Sequence, residues 1–145
     1  MNLRECFEKR LLRREAPSPE ASRRSIEVSE SKLTEARRAL DYDLIDSSVI
    51  LSYTAMFHAA RAILFRDGVI EKSHVGLSEY LRENYAKKGK ISESYVNVLD
   101  SARLDRHETL YGLNTRTELK DAEYSLRKAG EFLSMAKSVL EKKGT

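Results

Sequence analysis

Leu44-Ile45-Asp46-Ser47-Ser48-Val49-Ile50-Leu51-Ser52-Tyr53-Thr54-Ala55-Met56-Phe57-His58-Ala59-Ala60-Arg61-Ala62-Ile63-Leu64-Phe65-Arg66 is the stretch that decides the fold. Ile50, Tyr53, Phe57, Ala60 and Leu64 recur at the 3–4 spacing of one helix face. A second line, Ser48, Ser52, Ala55, Ala59 and Ala62, consists of small side chains. Small residues at this spacing let another helix approach closely. That helix belongs either to the same chain or to a second copy. Asp67-Gly68 ends the segment.

Working outward, Ser18 with Pro19 behind it caps a preceding helix carrying Ile26, Ser29, Leu33, Ala36 and Leu40. Before it, a short helix is expected from Leu3 to about Arg14, ended by Glu15-Ala16-Pro17-Ser18-Pro19. Downstream, Ser73 caps a helix running to about Lys88, before Gly89. The next runs from Ser92 to near Gly112. Thr117 is the expected cap of the last, whose apolar line is Leu119, Ala122, Leu126, Ala129, Leu133, Ala136 and Leu140. No strand-like alternation of useful length, internal repeat or low-complexity linker is seen. The expected fold is all-α: one domain over residues 1–145, an antiparallel up-and-down bundle of about five long helices plus a short N-terminal helix.

Composition agrees. The 145 residues suit one domain with an ordinary core. Apolar residues at 41% and charged residues at 34% exclude a disordered chain. The net charge of +3 permits nucleic-acid contact without demanding it, and the interleaving of acids and bases points to a solvated surface. A single cysteine, Cys6, allows no internal disulfide and fits a reducing cytoplasm. No apolar run approaches ~18 residues, so no membrane span is expected. The polar start, Met1 to Cys6, does not fit a secretory signal.

The chemistry-bearing residues are few. His58, His74 and His107 lie on three different elements, with no His-x-x-x-His or Cys-x-x-Cys pair, so no metal site is expected. No Gly-x-x-x-x-Gly-Lys or Gly-x-Gly-x-x-Gly loop exists, and no cofactor is expected. The fifth helix stands out. Its apolar line reads Ile91, Tyr95, Val98 or Leu99, Ala102, then Leu110 and Leu113, with Arg106 between. A guanidinium on a core-facing line needs a partner or a cavity. Arg103, His107, Glu108 and Tyr111 fall within the same two turns.

Two roles are open to this cluster. In the structural one, Arg103 pairs with Asp100, and Arg106 snorkels outward or holds an acid on a neighbouring helix. In the chemical one, the cluster recognises phosphate or cleaves RNA. Metal-free cleavage needs an acid/base titrating near neutrality, which suits His, and a fixed cation for charge developing on phosphorus, which suits Arg. His58 and Arg61 flank the core line of the third helix, positioned to face the fifth. His74, after the Ser73 cap, is expected to be exposed. Lys72 and His74 near a helix start are a weaker anion-binding pair.

Ser52-Tyr53-Thr54-Ala55-Met56-Phe57-His58-Ala59-Ala60-Arg61-Ala62-Ile63-Leu64 resembles the signature helix of HEPN-domain proteins. Lys72-Ser73-His74-Val75-Gly76-Leu77 is similar to the segment that follows it there. Arg106-x-x-x-Leu110-Tyr111-Gly112 resembles the Arg-x-x-x-Asp-Tyr-Gly motif of the short, stand-alone members, and Ala129-Gly130-Glu131-Phe132-Leu133 their last helix. The likeness runs from about Leu3 to Leu140. It implies a helical bundle that forms a homodimer. It further implies a toxin–antitoxin or defence role, in which RNA or nucleotide binds at a dimer cleft. Many members are metal-independent ribonucleases with an Arg-x(4–6)-His motif; others pair with a minimal nucleotidyltransferase. Carried onto this chain, the resemblance implies Arg106 and His107 as the catalytic pair and Arg103, Tyr111, His58 and Arg61 as RNA- or nucleotide-binding residues. The spacing departs from the nuclease pattern: no histidine lies four to six residues beyond Arg106, and Leu110 stands where related members have Asp. A nuclease and a non-catalytic module that partners a nucleotidyltransferase both remain open.

Overall fold

The computed structural model describes residues 1–113 and 116–142. The elements are α1 (Leu3–Glu8), β1 (Leu12–Arg14), α2 (Pro19–Asp41), α3 (Ile45–Asp67), β2 (Val69–Glu71), α4 (His74–Leu81), a π-helical turn (Arg82–Ala86), α5 (Glu93–Tyr111) and α6 (Leu119–Glu141). The molecule is an all-α bundle, as expected, with one small two-stranded sheet that was not.

α3 is the central helix, packed against α2, α6 and α5. Its small-residue line is covered within the chain, by α2. Ser22 Oγ donates to the Ala62 carbonyl at 2.7 Å, Ser25 to His58 at 2.6 Å, Ser29 to Ala55 at 2.6 Å, and Ser48 of α3 returns a bond to Ala36 at 2.8 Å. Hydroxyls and alanines are short enough for two backbones to meet at this range. That line is therefore not free to receive a helix from a second copy. By length and composition α3 could also cross a bilayer, with a mean hydropathy of 1.3 over its most apolar window. This corrects the expectation that no segment qualifies. Here that apolarity is used in packing: Val49, Tyr53, Met56, Ala60, Ile63 and Leu64 all lie in the core.

The N-terminal segment departs from expectation. The predicted helix to Arg14 stops at Glu8, where Arg10 takes a left-handed backbone (φ 59°). Leu12–Arg14 then pairs antiparallel with β2, Leu12 opposite Glu71 and Arg14 opposite Val69. Three residues are too few for alternation to show in a sequence, and only the buried Leu12 marks the strand. Gly68 makes the turn possible. Its φ is +78°, and a Cβ there would lie 2.6 Å from the Glu15 carbonyl. The fourth helix also changes form at Arg82, continuing as the π turn rather than as α-helix to Lys88. Ser18 and Ser73 cap as predicted. Thr117 does not: Glu118 and Asp121 form a reciprocal capping box at the start of α6.

Candidate functional site

The apolar line of α5 holds only over its first half. Val96, Leu99 and Ala102 are buried, but Leu104, Leu110 and Leu113 are 56%, 41% and 97% exposed. The second half of α5 runs off the core. Arg106 is thus not driven into the interior; it is half-buried at the edge, its Cζ 5.7 Å from the centre of the Tyr53 ring. This is cation–π range.

Tyr53 is 3% exposed, and its hydroxyl is hydrogen-bonded to Nδ1 of His74. His74 stacks obliquely on Tyr53 at 5.4 Å and on Phe57 at 5.3 Å. Ser73, by capping α4, fixes where this imidazole enters. His74 is therefore not the exposed residue its position after a cap suggested. Burial pushes its pKa down, and Arg103 and Arg106 push it further the same way. Burial raises the Tyr53 phenol well above its ordinary value, outweighing the opposite pull of Arg106 and Arg103. Near neutral pH the pair is a neutral phenol and a neutral imidazole beside two cations.

Those cations lack counter-charges. Arg61, Arg66 and Arg82 all have carboxylate partners. Among the described residues, Arg103 and Arg106 have no salt bridge. The expected Arg103–Asp100 pair does not form, because Asp100 is already taken. It accepts from Ser78 Oγ at 2.6 Å and from Arg82 Nη2 at 2.9 Å. With that carboxylate held by Arg82 and Ser78, Arg103 has no salt bridge among the described residues.

The other candidates form separate groups. His107 and Tyr111, one turn apart, contact each other at 5.0 Å on the exposed face of α5. His58 and Arg61 lie on a different side of α3. Arg61 Nε is 2.8 Å from Glu71 of β2, and its guanidinium lies over Phe57 and Phe65 at 5.4 and 5.0 Å. Burial first, then Arg61 and Lys32, lower the pKa of His58. Phe57 is the shared wall: it touches His58 and Arg61 on one side and His74 on the other. Sequence reasoning missed Tyr53 and Phe57, which read as core. Tyr53 has the one signal available, a polar tip on a core line that must find a partner. No group of three or more His, Cys, Asp or Glu among the described residues is arranged to hold a metal ion.

Comparison with known proteins agrees with this architecture. The HEPN domain model matches residues 22–139. The chain is 31% identical to the UPF0332 protein glr0978 of Gloeobacter violaceus, over 77% of this chain and 90% of that one. It is 26% identical to the UPF0332 protein PH1297 of Pyrococcus horikoshii, over 70% and 72%. It is 27% identical to the Methanocaldococcus jannaschii protein named "Putative toxin MJ0605", over 80% and 86%. A family match spanning most of the chain, on a bundle of the expected form, shows that the chain belongs to the HEPN domain family.

Proposed function

We propose that this protein is a toxin-type HEPN protein that binds RNA or a nucleotide through phosphate, with Arg103 and Arg106 as the phosphate-holding pair. One observation carries this: Arg106, within cation–π range of the buried Tyr53 ring, and Arg103 act together on the neutral Tyr53–His74 pair, and neither has a salt bridge among the described residues. A phosphate supplies the missing charge, and the guanidinium fork suits it. The toxin role is supported by relatives named as toxins.

The same groups suit metal-free RNA cleavage. The ribose 2′-oxygen attacks phosphorus, the bond from phosphorus to the 5′-oxygen breaks, and a 2′,3′-cyclic phosphate and a 5′-hydroxyl result. One base takes the proton of the 2′-hydroxyl and one acid gives a proton to the departing 5′-oxygen. His74 is one candidate, since Tyr53 fixes Nδ1 and leaves Nε2 for substrate. His107 is the second, offered across a dimer cleft, with Arg106 stabilising the charge on the phosphoryl oxygens. The exposed end of α5, with Leu104, Leu110, Tyr111 and Leu113, is the surface a second copy would cover. A protein partner such as a minimal nucleotidyltransferase, neutralising the toxin in the cytoplasm, would compete for that end. His58 and Arg61 are reserved for an outer contact, since Phe57 separates them from the cluster.

The test is RNA or nucleotide binding by Arg106→Ala. Loss of one charge-assisted contact is expected to weaken binding by about 10- to 100-fold, the equivalent of 1.5–3 kcal/mol. Helical circular dichroism should be unchanged. An unfolded variant would instead assign Arg106 a structural role.

A further inference from the structure

The N-terminal arm lies outside the matched family domain, which begins at residue 22. It carries Lys9-Arg10-Leu11-Leu12-Arg13-Arg14, four cations in six residues with no acid among them. The fold gathers three of these around one cavity. A cavity of about 420 Å³ is lined by Phe7, Arg10, Leu12, Arg13, Arg14 and Lys72. The β1–β2 pairing brings Lys72 in, its amide donating to the Leu11 carbonyl at 2.7 Å. Arg13 is paired with Glu15 at 3.0 Å. Among the described residues, Arg10, Arg14 and Lys72 have no carboxylate partner. The Arg14 guanidinium lies 4.5 Å from the centre of the Phe7 ring. Phe7, half-buried under the Arg14 guanidinium, gives the cavity an aromatic wall beside a cationic rim, while Leu12 closes it from the core.

Arg10, Arg14 and Lys72, with no carboxylate partner among the described residues, beside the Arg14–Phe7 stack match a nucleotide. Single-stranded nucleic acids are held by combining cations for phosphate with flat surfaces for bases. An acidic peptide offers charge but no flat base to stack on the Arg14 guanidinium. The position also matters. Lys72 is two residues before His74, a backbone span of at most roughly 7 Å. Gly76, in the first turn of α4, is packed so closely on the arm that a Cβ would lie 2.9 Å from the Leu11 carbonyl. Arm and cluster therefore share the start of α4.

We propose that this cavity is a nucleotide subsite for single-stranded RNA. A base stacks on the outer face of the Arg14 guanidinium, which Phe7 backs, and flanking phosphates lie on Arg10 and Lys72. The strand continues to Arg103 and Arg106; this last step rests on the function proposed above, while the subsite itself does not.

The experiment is fluorescence anisotropy with a labelled single-stranded RNA of about twelve nucleotides, and separately with a dinucleotide, over a range of salt. The proteins are wild type, Arg10→Gln/Lys72→Gln and Arg106→Ala, each checked by thermal melt. Lys72→Gln alone serves if the double variant does not fold. The double variant is expected to bind the longer RNA about tenfold or more weakly, with a salt slope smaller by about 1.4, from about 0.7 per lost phosphate contact. The dinucleotide, short enough to occupy either site alone, should lose part of its binding capacity in each variant, and all of it in neither. An unchanged affinity and slope for the longer RNA in the double variant would overturn the subsite. The Arg106→Ala result reports on the cluster independently. Displacement of the RNA by polyglutamate at comparable concentration would also overturn it, assigning the cavity to an acidic protein segment.

Discussion

Ala55→Leu tests whether α2 and α3 are as close as their serines imply. The Ala55 side chain is fully buried, and its carbonyl accepts from Ser29 Oγ at 2.6 Å. The change adds three carbon atoms where the opposite helix presents backbone and a hydroxyl. Overpacking of this kind costs about 1–3 kcal/mol. The helices must also part, which breaks or stretches the Ser29 bond and its neighbours from Ser25 and Ser22. At a net ~1 kcal/mol each, two lost bonds bring the total to about 3–5 kcal/mol. A chain of this length loses roughly 2–4 °C in Tm per kcal/mol, so melting should fall by about 6–20 °C. Ser29→Ala is the control. It removes one bond and adds no bulk, for about 1 kcal/mol. The assay is circular dichroism at the helical minimum during a thermal ramp, with size-exclusion chromatography in parallel. An Ala55→Leu protein that melts within about 2 °C of wild type would refute the packed seam. So would one that keeps its stability but changes oligomeric state, because the line would then face a second copy.

Acidification should destabilise the fold. His74 and His58 both titrate below the ordinary 6.5 in the folded chain, so the unfolded chain binds protons first as pH falls. Stability is therefore full above about 6.5 and drops below it; His74→Gln should shallow that drop in pH-dependent melts, and an unchanged profile would count against the buried imidazole. Tyr53→Phe removes the buried hydroxyl that holds His74. It should cost about 1 kcal/mol by urea unfolding, and the His74 ring proton shifts in NMR should move; unmoved shifts would mean that the bond does not form. Gly68→Ala combines a left-handed backbone with a 2.6 Å clash; a loss of about 1–3 kcal/mol is expected, and a neutral result would contradict the turn geometry.

The helices were legible because 3.6-residue periodicity runs the length of α2 and α6 and the first half of α5, and Ser18 and Ser73 are strong caps. The small-residue line of α3 announced a close neighbour; α2 was identifiable only once Ser22, Ser25 and Ser29 could be matched to α3 carbonyls. The strand Leu12–Arg14 was hidden because three residues carry no period. The site was half legible. Arg106 stood out as a charge on an apolar line, yet that line ends at Ala102, and a sequence does not show where a helix leaves the core. His74 was placed outside for want of any local signal. Its burial comes from Tyr53 and Phe57, some twenty residues earlier. Arg103 does not take Asp100 because Arg82, from another helix, pairs with that carboxylate, a contact that no local pattern shows.

The most direct test of the phosphate-site account is RNA cleavage by wild type, Arg106→Ala, His74→Gln and His107→Ala, with and without EDTA. The account predicts cleavage by wild type that EDTA does not touch. It predicts a fall of about 100-fold or more in Arg106→Ala and His74→Gln, with RNA binding kept in His74→Gln. A similar loss in His107→Ala, restored by mixing it with His74→Gln, would place His107 across the dimer cleft. Cleavage at the wild-type rate by Arg106→Ala and His74→Gln would contradict the site. No cleavage by well-folded wild type would contradict the nuclease and leave a binding module that waits for its partner.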